Sequence, residues 1–170
     1  MEESNKSSYL EKSVWDEKDF EKMEWHDTHI HGISFGTEWE DGTADLLLDI
    51  NYIFQWVKPI PPDRGYSFWI APCTLVFENA YNLKVEIDDK VGYAFGPFEI
   101  DDLMMVGKNK TRTEGILDYE WDIKLQTGTI KLKSYGFKQF VRRQPVYFRS
   151  RYLKLEERGG VSFAKVSVEV

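Results

Sequence analysis

The chain has 170 residues, 42% hydrophobic and 30% charged, a balance that excludes both a disordered and a membrane-embedded chain. Twenty-two Lys and Arg against 29 Asp and Glu leave a net charge of −7, which weighs against nucleic acid as a partner. One cysteine, Cys73, excludes an internal disulfide and a cysteine-based zinc cage, and no apolar run approaches the roughly 18 residues of a membrane span.

The first ten residues are polar and do not read as a secretory signal, which, without disulfides, implies a cytoplasmic protein. Five alanines against 26 Trp, Tyr and Phe favour sheet over helix. Residues 1–24 read as an N-terminal arm or short helix, with Asp16 as the cap and Phe20 and Met23 sharing a face.

From Trp25 the period becomes two. In residues 44–57, Ala44, Leu46, Leu48, Ile50, Tyr52, Phe54 and Trp56 occupy one face, the buried one. Asp45, Asp49, Asn51 and Gln55 occupy the other, expected to be solvated. A proline-rich break at 58–65 ends this strand. Residues 67–88 continue extended, interrupted at Pro72 and at Asn79-Ala80. A strand at 98–106 is followed by an expected turn at 107–110.

The strongest hairpin signal lies at 117–135. Taking Thr127-Gly128 as the turn sets Leu125 opposite Ile130, Ile123 opposite Leu132 and Asp122 opposite Lys133. Residues 137–141 extend, and 152–155 with 161–170 read as a terminal pair. The expected fold is all-β: a single domain over 1–170, an antiparallel β-sandwich or flattened barrel at 25–170 with a short N-terminal helix or arm.

All three histidines fall in one stretch, His26, His29 and His31. In a strand, Asp27, His29 and His31 would project together, a set that zinc or iron accepts with a further ligand and an open position for water. The plainer reading is that His26 and Asp27 bond at the strand start while the other two line a wet face. Trp39, between two glutamates near a turn, is the tryptophan best placed to stack on a sugar, and Trp56 and Trp121 read as core. Residues 131–170 carry a net +7 and the rest −14, so a basic patch at Lys138, Arg142, Arg143, Arg149 and Arg151 competes with the simpler pairing of basic strands with acidic ones. Cys73 reads as a buried, inert thiol.

The segment Trp25-His26-Asp27-Thr28-His29-Ile30, with the strand at 46–50 and the Leu75-Val76-Phe77…Leu83 segment, resembles a loose group of small bacterial all-β proteins that open with a His-Asp-x-x-Ile/Val signature. Some of that group are similar to immunity proteins of bacterial toxin systems. The resemblance omits residues 1–24 and the basic C-terminal third. It implies a protein that neutralises a toxin by binding it, and it transfers no catalytic residue.

These features favour a non-enzymatic, immunity-like protein-binding module whose acidic surface meets a basic partner protein. The alternatives are a metal-binding protein or metal-dependent hydrolase on Asp27, His29 and His31, and a small-ligand or carbohydrate binder using His26 and Trp39. A divalent metal is the one cofactor in question.

Overall fold

The chain's computed structural model describes residues 10–36, 44–88 and 98–170. Strand β1 (Val14–Asp16) runs into a 3-10 helix, Glu17–Lys22. The Asp16 carboxylate accepts the Lys18 N–H at 2.9 Å, and the Asp19 carboxylate accepts the Asp16 N–H at 3.0 Å and the Lys12 ammonium. This reciprocal cap holds the helix so that Phe20 drops onto Trp25 and Trp121, with centroids 5.5 and 5.6 Å away.

Nine further strands follow: β2 (Thr28–Phe35), β3 (Leu46–Val57), β4 (Ser67–Phe77), β5 (Tyr81–Ile87), β6 (Glu99–Lys110), β7 (Leu117–Leu125), β8 (Gly128–Ser134), β9 (Phe137–Val141) and β10 (Val146–Phe148). All pair antiparallel in one open sheet, in the order β1-β9-β4-β3-β2-β6-β7-β8-β5, with β10 beside the start of β4. The fold is all-β, as the two-residue period requires.

The sheet curls on itself. In a flat sheet β4 and β7, four strands apart, would lie about 19 Å from each other. Instead the rings of Phe77 and Trp121 are 5.6 Å apart. The enclosed core is built from Leu46, Leu48, Ile50 and Tyr52 of β3, Cys73, Leu75 and Phe77 of β4, Tyr119, Trp121 and Ile123 of β7, and Phe137 and Val141 of β9. Trp121 is fully buried against Phe20, Phe77, Tyr119 and Phe137. Pro72 sits in β4 where its outer neighbour changes from β10 to β9, a position that needs no ladder donor. Burial pushes the Cys73 thiol upward, so it stays protonated.

Several sequence expectations shift. The 117–135 hairpin turns at Gln126-Thr127, so Leu125 faces Gly128, Ile123 faces Ile130 and Asp122 faces Lys131. Gly128 belongs to the strand because the Glu86 carbonyl of β5 lies where a Cβ would be, and its φ is +154°. Residues 107–110 continue β6 through a bulge at Val106 rather than turning. Phe54 is the extra residue of a bulge in β3; the shift carries Trp56 off the core face, and it is 37% exposed.

The C-terminal part forms no strand pair. After the short helix α1 (Leu155–Arg158), the chain runs along the outer face of β3 and β4. The Thr74 hydroxyl donates to Ala164 O at 2.8 Å, and Val168 N–H donates to Val141 O at 2.9 Å. Beneath this segment β3 is buried on both faces: Leu47, Asp49, Asn51 and Ile53 are as enclosed as the core residues between them.

Candidate functional site

Asp49 was expected to face solvent. It is instead the fully buried centre of an ion cluster on the outer face of β3. One carboxylate oxygen accepts Arg142 Nη2 at 2.6 Å and Arg158 Nη2 at 2.5 Å; the other accepts Arg158 Nη1 at 2.7 Å and Ser162 N–H at 3.0 Å. All four acceptor positions of the carboxylate are filled. Arg158 is equally complete. Its Nε donates to Asn51 Oδ1 at 2.9 Å, and its remaining donors reach Asp49, Gly160 O at 2.6 Å and Ile50 O at 3.2 Å. Burial works against ionisation of Asp49, but the bonds from Arg158, Arg142 and Ser162 hold its carboxyl below the usual range.

The histidines adjoin this cluster. His29 and His31 project to the outer face of β2, with ring centroids 4.3 Å apart. His31 Nε2 meets Asn51 Nδ2 at 2.8 Å. Burial, with the Arg158 charge adding to it, pushes the His31 imidazole down to about 4; burial lowers His29 as well. Both rings are therefore neutral near pH 7. His29 Nδ1 is buried with no partner among the described residues.

His29 lies between Asn51 of β3 and Glu99 of β6 in the sheet register. Glu99, almost fully buried, accepts the Tyr152 hydroxyl, Gln126 Nε2 at 3.0 Å and Arg151 Nη2 at 3.4 Å. The Tyr152 ring stands edge-on to His29 at 5.7 Å. Hence one polar seam runs across the outer face from Glu99 through His29 and His31 to Asp49, closed from above by residues of 151–162.

Asp27 does not converge on the histidines. With φ +60° it precedes the alternation of β2, and its carboxylate pairs with Arg151 Nη1 at 2.9 Å. Among the described residues no group of three or more His, Cys, Asp or Glu side chains could hold a metal ion. The donor set at this place stops at two imidazoles, fewer than the three protein ligands of a catalytic zinc.

His26 lies apart from the other two. It is exposed, its Nδ1 lies 3.0 Å from Asp101 O, and its ring stacks on Trp56 at 6.3 Å. The hydrogen bond to Asp101 raises its pKa, and the charges of Asp27, Asp101 and Glu24 add to the rise. Trp56 also meets Tyr66 and Phe68, at 5.7 and 5.0 Å. Trp39 lies outside the described residues.

The C-terminal basic residues are largely paired: Lys138 with Glu78, Arg142 with Asp49, Arg149 with Asp63, and Arg151 with Asp27 and Glu99. A depression of about 230 Å³ between β7 and β8, edged by Asn82, Glu120, Lys131 and Lys133, falls short of the 300–1,000 Å³ usual for small-ligand sites. No helix among the described residues is long and apolar enough to cross a membrane.

Fold and site together define an all-β protein whose curled sheet is covered, on part of its outer face, by its own C-terminal segment through a buried ion cluster. Comparison of the chain with protein-family models, with curated proteins and with solved structures finds no match.

Proposed function

We propose that the chain is a non-enzymatic protein-binding module, with its contact surface at the His26–Trp56 stack. The buried polar seam supports this reading by what its groups are already doing. Asp49 and Arg158 spend every acceptor and donor on each other and on the backbone, which leaves nothing to turn over a substrate.

The observation that carries the reading is an exposed indole in acidic surroundings. Trp56 is 37% exposed and Tyr66 46%, while the exposed acids Glu24 and Asp101 act on the stacked His26. Trp and Tyr are the residue types that anchor protein interfaces. An arginine-bearing segment of a basic protein would stack on Trp56 and pair with the acids, and the net charge of −7 would steer it in. The likeness of residues 25–30 to immunity-like proteins makes a toxin the first partner class to test.

The test places a photo-crosslinking amino acid at Tyr66 and, as control, at Lys124, and cross-links in cells. The reading expects an adduct to a basic protein at position 66 that is lost in Trp56→Ala and Asp101→Lys chains of unchanged circular dichroism. Identical adducts at both positions, or adducts indifferent to both substitutions, would overturn it.

A further inference from the structure

Strand β5 ends the sheet order: it pairs with β8, and among the described residues no strand pairs with its other side. An unpaired edge is a template for another strand, and most proteins blunt theirs. At β5 the blunting is confined to the start, where Asn82 has φ +51° and the register to β8 shifts between Tyr81 and Lys84. Residues 83–87, Leu-Lys-Val-Glu-Ile, stay regular.

The side on which each backbone group lies follows from the ladder. Asp88 N–H donates to Thr127 O at 2.7 Å, so Asp88, Glu86 and Lys84 turn their backbone groups towards β8. Leu83, Val85 and Ile87 therefore turn theirs to the open side. On the pleat, Val85 and Ile87 are 44% and 42% exposed at the margin of the apolar core, which Leu83 joins. Lys84 and Glu86 share the opposite face, 2.9 Å apart.

This five-residue stretch is complementary to itself when reversed. A two-fold axis at Val85 sets Lys84 opposite Glu86 of a second copy, Glu86 opposite its Lys84, Leu83 opposite its Ile87, and Val85 opposite Val85. The residues with outward backbone groups then face each other as hydrogen-bonded pairs. The neighbouring registers are penalised: an axis at Lys84 opposes two lysines and one at Glu86 opposes two glutamates. Lys84 already lies beside Lys131 of β8, so a glutamate arriving on its other side relieves like charge.

We infer that β5 is a homodimer edge, through which two copies join their sheets antiparallel about a two-fold axis at Val85. The occupant is a second copy of this chain because the charge order of residues 84–86 selects that one register. A blocking edge would instead repel its own reverse. The contact is isologous, so it closes at two copies and does not grow.

The test is sedimentation equilibrium of the full chain from 5 µM to 1 mM total protein (about the range of a small interface). The native chain is expected to show a monomer–dimer equilibrium. Lys84→Glu and Glu86→Lys chains, each placing like charges across the axis, are expected to dimerise at least tenfold more weakly alone (about 1.4 kcal/mol). Mixed one to one they regain a heterodimer, because all four cross-axis pairs are again opposite, and the double swap K84E/E86K regains the homodimer. Val85→Pro removes an outward N–H without touching the β8 ladder and leaves a folded monomer. A native chain monomeric to 1 mM, or a dimer indifferent to the single charge reversals, would overturn the inference.

Discussion

Replacing Asp49 with Asn tests the buried cluster at its centre. The substitution keeps the shape and removes the charge on which two guanidinium groups converge, one of them, Arg158, with a side chain wholly out of solvent. The new amide also presents N–H donors where it must meet donors from Arg158, Arg142 or Ser162. Removing one partner of a buried pair costs about 3–5 kcal/mol, because the other charge is left uncompensated. A cost of about 4 kcal/mol is a large part of the 5–15 kcal/mol that holds a typical domain together. Urea unfolding followed by tryptophan fluorescence measures it, and trypsin should cut the loosened segment after Lys154, Arg158 or Lys165 before the sheet unfolds. The double variant Asp49→Leu/Arg158→Met removes charge from both sides and should be more stable than Asp49→Asn alone. An Asp49→Asn chain within about 0.5 kcal/mol of the native one, as ordinary surface changes are, would refute the reasoning.

Acid should loosen the same region. His31 is depressed to about 4 by burial and by Arg158, from 6.5 in an open chain, so between those values the unfolded chain binds the proton and the folded one resists it. Stability is then complete above about pH 6.5 and falls towards pH 4, by at most about 3 kcal/mol. His29 acts in the same direction, and exposed His26, whose pKa is raised, acts weakly in the opposite one. Urea midpoints at pH 7.5, 6 and 5 should descend; a flat or rising series contradicts neutral, buried imidazoles. Gly32→Ala would bring a Cβ to within 2.8 Å of Phe163 Cζ and should cost about 1–3 kcal/mol. Adding Phe163→Ala should recover part of that loss, and strictly additive losses would show that the ring does not rest on Gly32.

The fold was legible wherever one local signal decided it. Alternation in β3 and β7 assigned the core-facing residues, and the short capping side chain of Asp16 marked the N-terminal helix. Register was less legible: Thr127-Gly128 has turn composition, yet the glycine answers to the Glu86 carbonyl of a strand some forty residues earlier in the chain. Trp56 was misread because a bulge at Phe54 leaves no trace in a period-two pattern.

The site was legible in part. The grouping of His29 and His31 follows from their spacing. Asp27 leaves the alternation through a positive φ, which residue type alone permits but does not announce. Asp49 and Arg158 are 109 positions apart and meet only because the C-terminal segment crosses the sheet. One signal was present: Leu47 and Ile53 are apolar on the face assigned to solvent, which marks β3 as covered on both sides.

The central claim is that the C-terminal segment is held as firmly as the sheet by a carboxylate rather than by a ladder. Amide hydrogen exchange at Ser162 measures this directly, since its N–H bonds to Asp49 Oδ2 at 3.0 Å in a stretch with no strand pairing. Protection approaching that of Leu48 in β3, lost in the Asp49→Asn chain, is the predicted result. Exchange at the rate of an open chain in the native protein would contradict the account.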